Sequence, residues 1–295
     1  MSLIKLFEYT QEICGNLHNK KIKINNIEWS YYDNNKVNKP VIIIFHGFQS
    51  NKKYTWYSLL KKLKNNFRII IPDMIGHGDT KIISNDNFDF STTNTIIQLK
   101  LFIDSIIGKN KQFHLIGSSL GGLYACIMSA NYPISVISLT LYSTFGINNN
   151  NLLLDIYNKT NINLLVPNNV NELLLRNEII FYNKIPLNKL LVNNYLLDIQ
   201  KKHYDSYIKI LNQTIIPDNN ILKKYIKIIK QPLLIIWGKY DKILDISSIN
   251  YLKNNLIKKP EIHILDKCGH LVHYEYPDIC AKLTKFHILR SINNL

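Results

Sequence analysis

A glycine- and serine-rich pentapeptide, GSSLG at positions 117–121, restricts the fold of this chain more than any other feature. It follows a short apolar run at 113–116 and precedes a helix-like stretch at 120–131. A G-x-S-x-G pattern indicates a serine nucleophile when it joins a strand to a helix through a tight turn. Only residues without a Cβ fit where such a turn brings backbone segments close together. We therefore predict a reactive hydroxyl on Ser119; the alternative is an ordinary strand–helix junction of small residues.

Apolar, β-branched runs alternate with helical periodicity along most of the chain. Eight strands are predicted, at 21–24, 27–32, 41–45, 68–71, 113–116, 136–142, 233–237 and 261–265. Helical patterns fall between them, at 56–63, 95–107 and 120–131. Strands separated by helices favour a mostly parallel, doubly wound sheet. The fold class predicted is therefore α/β, with a sheet of about eight strands.

The alternation breaks at residues 148–220, which we call the insertion. Leu, Ile, Asn and Tyr dominate this segment, and it offers helical stretches but no clear buried strand. We expect it to lie over the carboxyl ends of the strands, where open α/β sheets bind ligands. The predicted organisation is a core of residues 1–147 and 221–295, interrupted by a helical lid. A helical subdomain that serves only packing is the alternative.

A nucleophilic serine needs a base, and the base needs a carboxylate to orient it. Asp241 follows the strand at 233–237, and His270 follows the last predicted strand. With Ser119 they give the chain order Ser, Asp, His that is typical of one large class of hydrolases. Three residues from three strand ends can converge on one point. Two other carboxylates, Asp245 and Asp266, compete with Asp241 for the orienting role.

Two backbone amides are needed to stabilise an oxyanion. One is expected from Leu120, directly after the nucleophile, and the other from Phe48, in the loop after the strand at 41–45. Gly47 lets that loop turn, and His46 then positions the loop and is not the base. A plain strand–loop junction is the alternative interpretation of this His-Gly-Phe sequence.

Charge and composition limit the partners. The net charge is +15, and no run of 18 or more uncharged apolar residues suggests a membrane-spanning helix. In the helical pattern at 221–230 the lysines lie opposite the apolar residues, which is typical of a solvated face. The excess charge could also draw the protein to anionic lipid headgroups. The aromatic and basic motifs of RNA-binding modules are absent, so we expect no nucleic-acid partner.

The remaining composition favours a cytoplasmic protein, with peripheral membrane contact as a further option. The start of the chain is charged too early for a secretory signal, and Leu3, Leu6 and Phe7 form one apolar face of a short helix. We expect that face to dock on the core, with membrane contact as the alternative. The four cysteines have no C-x-x-C spacing: Cys14, Cys126, Cys268 and Cys280. No cluster of His, Cys and carboxylates has metal-ligand spacing, so no metal is expected.

Taken together, these motifs resemble the α/β-hydrolase superfamily over nearly the whole chain. The resemblance is carried by residues 46–48, 73–80, 117–121 and 237–241 and by 268–270 with Glu275 and Pro277. The chain is most similar to monoacylglycerol lipases with an α/β-hydrolase domain, in the segments 112–122, 131–133 and 235–245 and in 165–167 and 170–174 of the insertion.

The resemblance implies hydrolysis of a glycerol monoester of a fatty acid, without a cofactor. Two departures are noted: an amino-terminal membrane anchor typical of mammalian members is not expected here, and Ile75 stands where the family usually has proline.

The predicted function is therefore hydrolysis of carboxylic esters of lipids, most favourably monoacylglycerol, through an acyl-enzyme on Ser119. Three alternatives remain open. The first is an esterase, thioesterase or C–C hydrolase of the same fold that acts on a small soluble substrate. The second is a non-enzymatic ligand receptor on this fold. The third is a basic protein that binds a membrane or nucleic acid and keeps only a vestigial site.

Overall fold

The computed structural model describes residues 17–53, 56–83, 87–147, 156, 159, 164–183 and 199–293. Their strands are β1 His18–Ile24, β2 Ile27–Asp33, β3 Val41–Phe45, β4 Arg68–Pro72, β5 Lys81–Ile82, β6 Phe113–Ser118, β7 Val136–Tyr142, β8 Leu233–Gly238 and β9 Glu261–Leu265. They form one nine-stranded sheet in the order β1-β2-β4-β3-β6-β7-β8-β9, with β5 paired to β2. The sheet is parallel from β4 to β9, whereas β1, β2 and β5 pair antiparallel at one end.

Helices connect the parallel strands, as a doubly wound sheet requires. The described helices are α1 Tyr57–Leu63, α2 Thr92–Ile107, α3 Leu120–Asn131, α4 Val170–Ile180, α5 Lys201–Ile210, α6 Leu222–Tyr225, α7 Ser248–Asn255, α8 Val272–Glu275 and α9 Pro277–Asn293. A π-helical turn, Leu211–Ile215, continues α5, and a 3₁₀ turn, Ile226–Ile228, follows α6. The helical pattern predicted at 221–230 is thus present as two short, consecutive turns.

All eight predicted strands are present, with small shifts at their ends. The ninth, β5, has only two residues, which is too short to produce an alternating pattern. The predicted hairpin is formed by β1 and β2, and Ile24 pairs with Ile27 across the turn at 25–26. Asn25 has a positive φ of 52°, which asparagine tolerates better than most residues.

The central strands are apolar throughout because helices cover both faces of the sheet. In β3, Ile43 and Phe45 belong to one buried cluster, and Ile42 and Ile44 belong to the cluster on the opposite face. This alternation produces the continuous apolar run seen in the sequence. The loops that carry the candidate site residues follow the carboxyl ends of these packed strands.

Two expectations are only partly covered by the described residues. The amino-terminal helix and Cys14 lie outside them, as do residues 148–155, 157–158, 160–163 and 184–198 of the insertion. The described residues of the insertion contain α4, α5 and the π-helical turn, and no strand.

Cys126, Cys268 and Cys280 are buried and free, and burial raises the pKa of each thiol.

Burial also lowers the pKa of several imidazoles. It brings the pKa of His46, His114 and His287 to about 4. The pKa of His273 falls to about 3, and that of His77 lies well below 6.5. Unfolding exposes these rings, so the unfolded chain binds more protons than the folded chain between these values and pH 6.5. Stability is therefore fully present above about pH 6.5 and is lost as the pH falls toward 4.

We expect the unfolding temperature to drop steeply between about pH 7 and about pH 5. Below about pH 6.5 each buried imidazole contributes on the order of 1.4 kcal/mol per pH unit, since the group protonates only on unfolding. Scanning calorimetry at the two pH values measures the drop. The variant His114→Gln, which removes one of the buried rings, should show a smaller drop. The same unfolding temperature at both pH values would contradict the prediction.

Candidate active site

Ser119 lies at the turn between β6 and α3, as the pentapeptide predicts. Its φ of 53° and ψ of −118° are uncommon for a residue with a side chain and indicate local strain. The backbone is nevertheless held, since the Ser119 amide donates to Tyr142 O (3.0 Å) and the Ser119 carbonyl accepts from the amides of Gly122 and Phe145. The flanking glycines are sterically required: a Cβ on Gly121 would lie 2.3 Å from Phe45 O.

Asp241 and His270 meet across the ends of β8 and β9. His270 Nδ1 lies 2.8 Å from Asp241 Oδ2, and both side chains are nearly or fully buried. The other carboxylate oxygen, Oδ1, accepts hydrogen bonds from the amides of Ile243 and Leu244, each at 2.9 Å. Because the carboxylate can only accept, Nδ1 carries the proton in the neutral ring, and Nε2 is left with a free lone pair.

The competing carboxylates have other partners. Asp245 Oδ1 accepts from the amide of Ser247 at 2.7 Å. Asp266 pairs with Lys239 at 3.1 Å, and both side chains are more than half exposed. Of the three carboxylates weighed from the sequence, Asp241 is therefore the one that the structure brings to His270.

The two loops that carry Asp241 and His270 are joined through their backbones. The amides of Lys239 and Tyr240 donate to Leu265 O and Cys268 O, each at 2.9 Å. A Cβ on Gly238 would lie 1.9 Å from Gly269 O. Only glycine allows this approach, so Gly238 helps fix the spacing between the carboxylate and the imidazole.

Ser119 and His270 line the same cavity, whose volume is ≈ 230 Å³. Phe48 and Leu120, the residues expected to supply the two backbone donors, also line it. The loop of Phe48 runs against the nucleophile, since a Cβ on Gly47 would lie 3.2 Å from Ser119 Cβ. All five residues singled out from the sequence therefore lie in one region: Ser119, Asp241, His270, Phe48 and Leu120.

His46 holds this loop through both ring nitrogens. Its Nε2 accepts from the Met74 amide at 2.9 Å, and its Nδ1 donates to Gly47 O at 2.8 Å. The two bonds require one neutral tautomer, which agrees with a pKa lowered to about 4 by burial. No ring nitrogen of His46 is left over for proton transfer.

A buried ion pair supports the neighbouring loops. Lys52 Nζ lies 2.5 Å from Asp73 Oδ2, and neither side chain is exposed. Asp73 also accepts from the backbone amides of Lys52 and Asp79, each at 2.8 Å. Burial acts to raise the pKa of Asp79, but Lys52 and Lys53 lower it to about 2. The 73–80 motif thus ties the loop after β4 to the loop after β3.

Two polar residues at this site were given no role by the sequence. Gln49 donates from Nε2 to Leu165 O at 2.7 Å and accepts a hydrogen bond from Arg176. Glu275 accepts from the amides of Gly269 (2.7 Å) and Tyr182 (3.1 Å). Three of these partners, Leu165, Arg176 and Tyr182, are remote in the chain, so no local pattern could identify them. Glu275 appeared only as part of the family motif.

Among the described residues no group of three or more His, Cys, Asp or Glu could hold a metal ion. Over the same residues, no helix combines the length and apolar character needed to cross a membrane.

Known proteins share both the sequence pattern and the fold. A family model described as the alpha/beta hydrolase fold matches residues 40–277. The monoacylglycerol lipase ABHD6 of Rattus norvegicus is 30% identical over 265 residues, which cover 87% of this chain and 77% of that protein. Lipase 1 of Psychrobacter immobilis is 24% identical and covers 89% of this chain and 80% of its own length.

A similar solved structure is that of a putative lipase, lip1, from Acinetobacter baumannii AYE. It superposes with a TM-score of 0.89 at 26% identity and covers 100% of this chain and 98% of that chain. The family match thus agrees with three features of the structure. These are the parallel sheet, the serine turn between β6 and α3, and the carboxylate–imidazole pair after β8 and β9. The chain belongs to the alpha/beta hydrolase fold family.

Proposed function

We propose that this protein is a serine hydrolase that cleaves carboxylic esters of lipids, with monoacylglycerol as the favoured substrate. The observation that carries the proposal is the Asp241–His270 hydrogen bond at the wall of a cavity that Ser119 also lines. The names of the relatives, a monoacylglycerol lipase and a lipase, support the choice of a lipid ester.

In the proposed mechanism Ser119 Oγ attacks the ester carbonyl carbon while His270 Nε2 takes the hydroxyl proton. Asp241 accepts from Nδ1 and so stabilises the imidazolium that forms. The tetrahedral intermediate collapses, the C–O bond to the alcohol breaks, and His270 returns the proton to the leaving oxygen. Water then attacks the acyl-enzyme by the same steps and releases the fatty acid.

The negative charge on the carbonyl oxygen would be stabilised by the amides of Phe48 and Leu120. Leu120 is the first residue of α3, so its amide points along the positive end of a helix. One such donor contributes about 2.7–4 kcal/mol to barrier lowering. The strained turn supports this role because it leaves Ser119 and the start of α3 facing the cavity together.

The insertion is proposed to act as the acyl-binding lid between core segments 1–147 and 221–295. Apolar residues from the insertion form one side of the cavity: Leu164, Leu165, Ile180, Phe181 and Ile215. Leu120, Phe145 and Leu244 line it from the core. A lipid tail in this cavity would lose its contact with water, which contributes about 0.8 kcal/mol per methylene.

A chain-length series should therefore favour longer acyl groups. We expect kcat/KM for p-nitrophenyl esters to rise by up to about fourfold per methylene until the cavity is filled, and to level off beyond that point. Steady-state assays from acetate to palmitate measure the series. A preference for acetate over octanoate would exclude a lipid tail in this cavity and favour an esterase of small soluble substrates.

Labelling with a fluorophosphonate tests the proposed nucleophile directly. The probe reacts with an activated serine, and mass spectrometry of the digested protein locates the adduct. We expect the label on the peptide that contains Ser119. A folded protein that binds ligands but neither takes up the probe nor hydrolyses esters would favour the non-enzymatic receptor.

We also propose peripheral contact with an anionic membrane on the cytoplasmic side. Exposed rings stand near the site: Tyr182 and Tyr240 lie 4.8 Å apart, and Tyr274 is 45% exposed. Tyrosine favours membrane interfaces, and the net charge of +15 attracts anionic headgroups. Co-sedimentation should show binding to vesicles that contain phosphatidylserine, weakened by salt. Equal sedimentation with and without these vesicles would contradict the proposal.

A further inference from the structure

Gln49 connects the loop of Phe48 to the insertion through both ends of its side chain. Its Nε2 donates to Leu165 O at 2.7 Å, and its Oε1 accepts from Arg176 Nη1. The carbonyl can only accept and the guanidinium can only donate, so the two partners fix the orientation of the amide. Both side chains are buried, with exposed fractions of 5% for Gln49 and 8% for Arg176.

The backbone of Gln49 depends on such support. Its φ is 55°, a left-handed conformation that costs a residue other than glycine on the order of 1 kcal/mol or more. Such a conformation persists only where surrounding contacts hold it. Two side-chain hydrogen bonds of Gln49 reach the insertion, and Gln49 directly follows Phe48. The conformation of the loop that supplies the Phe48 amide is therefore linked to the position of α4.

The same helix is bonded to the loop of His270. One turn after Arg176, the Ile180 carbonyl accepts from the His270 amide at 2.7 Å. Beyond the helix, Glu275 accepts from the amides of both Tyr182 and Gly269. Helix α4 thus contacts the Phe48 loop through Arg176 and the His270 loop through Ile180.

We propose that Arg176 and Gln49 are positioning residues that hold the Phe48 amide in register with Ser119 and His270. The inference rests on the ester hydrolysis proposed above. Helix α4 then serves two purposes, since its inner face lines the cavity and also sets the geometry of the two loops. The polar link of Arg176 to Gln49 would carry the position of α4 to the loop that supplies the Phe48 amide.

A small ester separates positioning from acyl binding, because an acetyl group does not fill the cavity. For Arg176→Met and Gln49→Leu we expect kcat on p-nitrophenyl acetate to fall about 10- to 100-fold, the range for one hydrogen bond to a charged group. KM should change little. The double variant should fall no further than Gln49→Leu alone, because that variant already breaks the link to Arg176. Arg176→Lys keeps the charge and should retain an intermediate kcat.

The matched control is Leu175→Ala on the same helix, because Leu175 is 40% exposed. It should behave as the wild type does on both acetate and long-chain esters. Circular dichroism and unfolding temperature check that each variant is folded. If Arg176→Met does not fold, the comparison of Arg176→Lys and Gln49→Leu with the wild type still decides, since the first keeps the charge at position 176 and the second leaves α4 unchanged.

Two results would overturn the inference. In the first, folded Arg176 and Gln49 variants hydrolyse acetate with the wild-type kcat. In the second, Arg176→Met raises KM only for a lysophospholipid with an anionic headgroup and leaves acetate unaffected, which would make Arg176 a headgroup-binding residue. In both cases the wild type still reacts with the fluorophosphonate at Ser119. A wild type that neither reacts nor hydrolyses esters would instead remove the proposed function itself.

Discussion

Ser119→Ala should abolish ester hydrolysis while leaving the protein folded. Loss of a serine nucleophile of this kind lowers kcat on the order of 10⁶-fold, because no acyl-enzyme can form. Alanine keeps the Cβ, so the φ of 53° at this position is no more strained than before, and the unfolding temperature should change little. Hydrolysis of a p-nitrophenyl ester and fluorophosphonate labelling measure the loss, and both should vanish together.

The neighbouring serine provides the matched control. Ser118 belongs to β6 and is 1% exposed, and its hydroxyl has no hydrogen-bond partner among the residues described. Ser118→Ala should keep the label. If Ser118→Ala loses the label and Ser119→Ala retains it, the nucleophile is Ser118 and the assignment made from the pentapeptide is wrong.

Asp241→Asn should lower kcat by about 10⁴-fold, the loss expected when the imidazole is held in the wrong tautomer. The structure gives a specific reason. Two amides, from Ile243 and Leu244, donate to Oδ1, so the amide oxygen of asparagine must take that position. Its NH₂ group would then face His270 Nδ1 and donate to it. The ring proton would move to Nε2, which could no longer accept a proton from Ser119.

The competing carboxylates serve as controls for this substitution. Asp245→Asn can keep the turn contact through its amide oxygen, and Asp266→Asn removes only an exposed ion pair, so the rate should stay near that of the wild type. Steady-state kinetics at one pH, with short and long esters, compares the three variants. An active Asp241→Asn beside an inactive Asp245→Asn would transfer the orienting role to Asp245.

Most of the sheet could be predicted from the sequence because the burial of each strand is reflected in the residues of that strand alone. A strand buried on both faces must be apolar at every position, so β3 and β8 appear as continuous apolar runs. The glycines of the 117–121 turn mark a place where two backbone segments approach too closely for a side chain. Candidate residues at strand ends followed from chain order. Parallel strands deliver their loops to one edge, so Asp241 and His270 were expected to meet, and they are hydrogen-bonded.

The parts that could not be predicted depend on long-range docking. β5 forms only because Lys81 and Ile82 are brought beside β2. The Gln49–Arg176 contact joins residues 127 positions apart, and nothing in the neighbourhood of Gln49 distinguishes it from an ordinary loop residue. Glu275 likewise binds amides from two separate loops. Such contacts are specified by how the insertion packs on the core and not by any local pattern.

The lysines of β1 affect how copies of the protein meet. β1 is the outermost strand of the described sheet at this end, and it carries Lys20, Lys21 and Lys23. An exposed outer strand invites pairing with another molecule, and charged side chains, lysine above all, discourage it. If a second copy paired its own β1 with this strand, the lysines of the two copies would lie close together and repel each other. Charged side chains on this strand therefore discourage the sheet from growing into a shared, aggregating one, and this effect weakens as salt screens the repulsion.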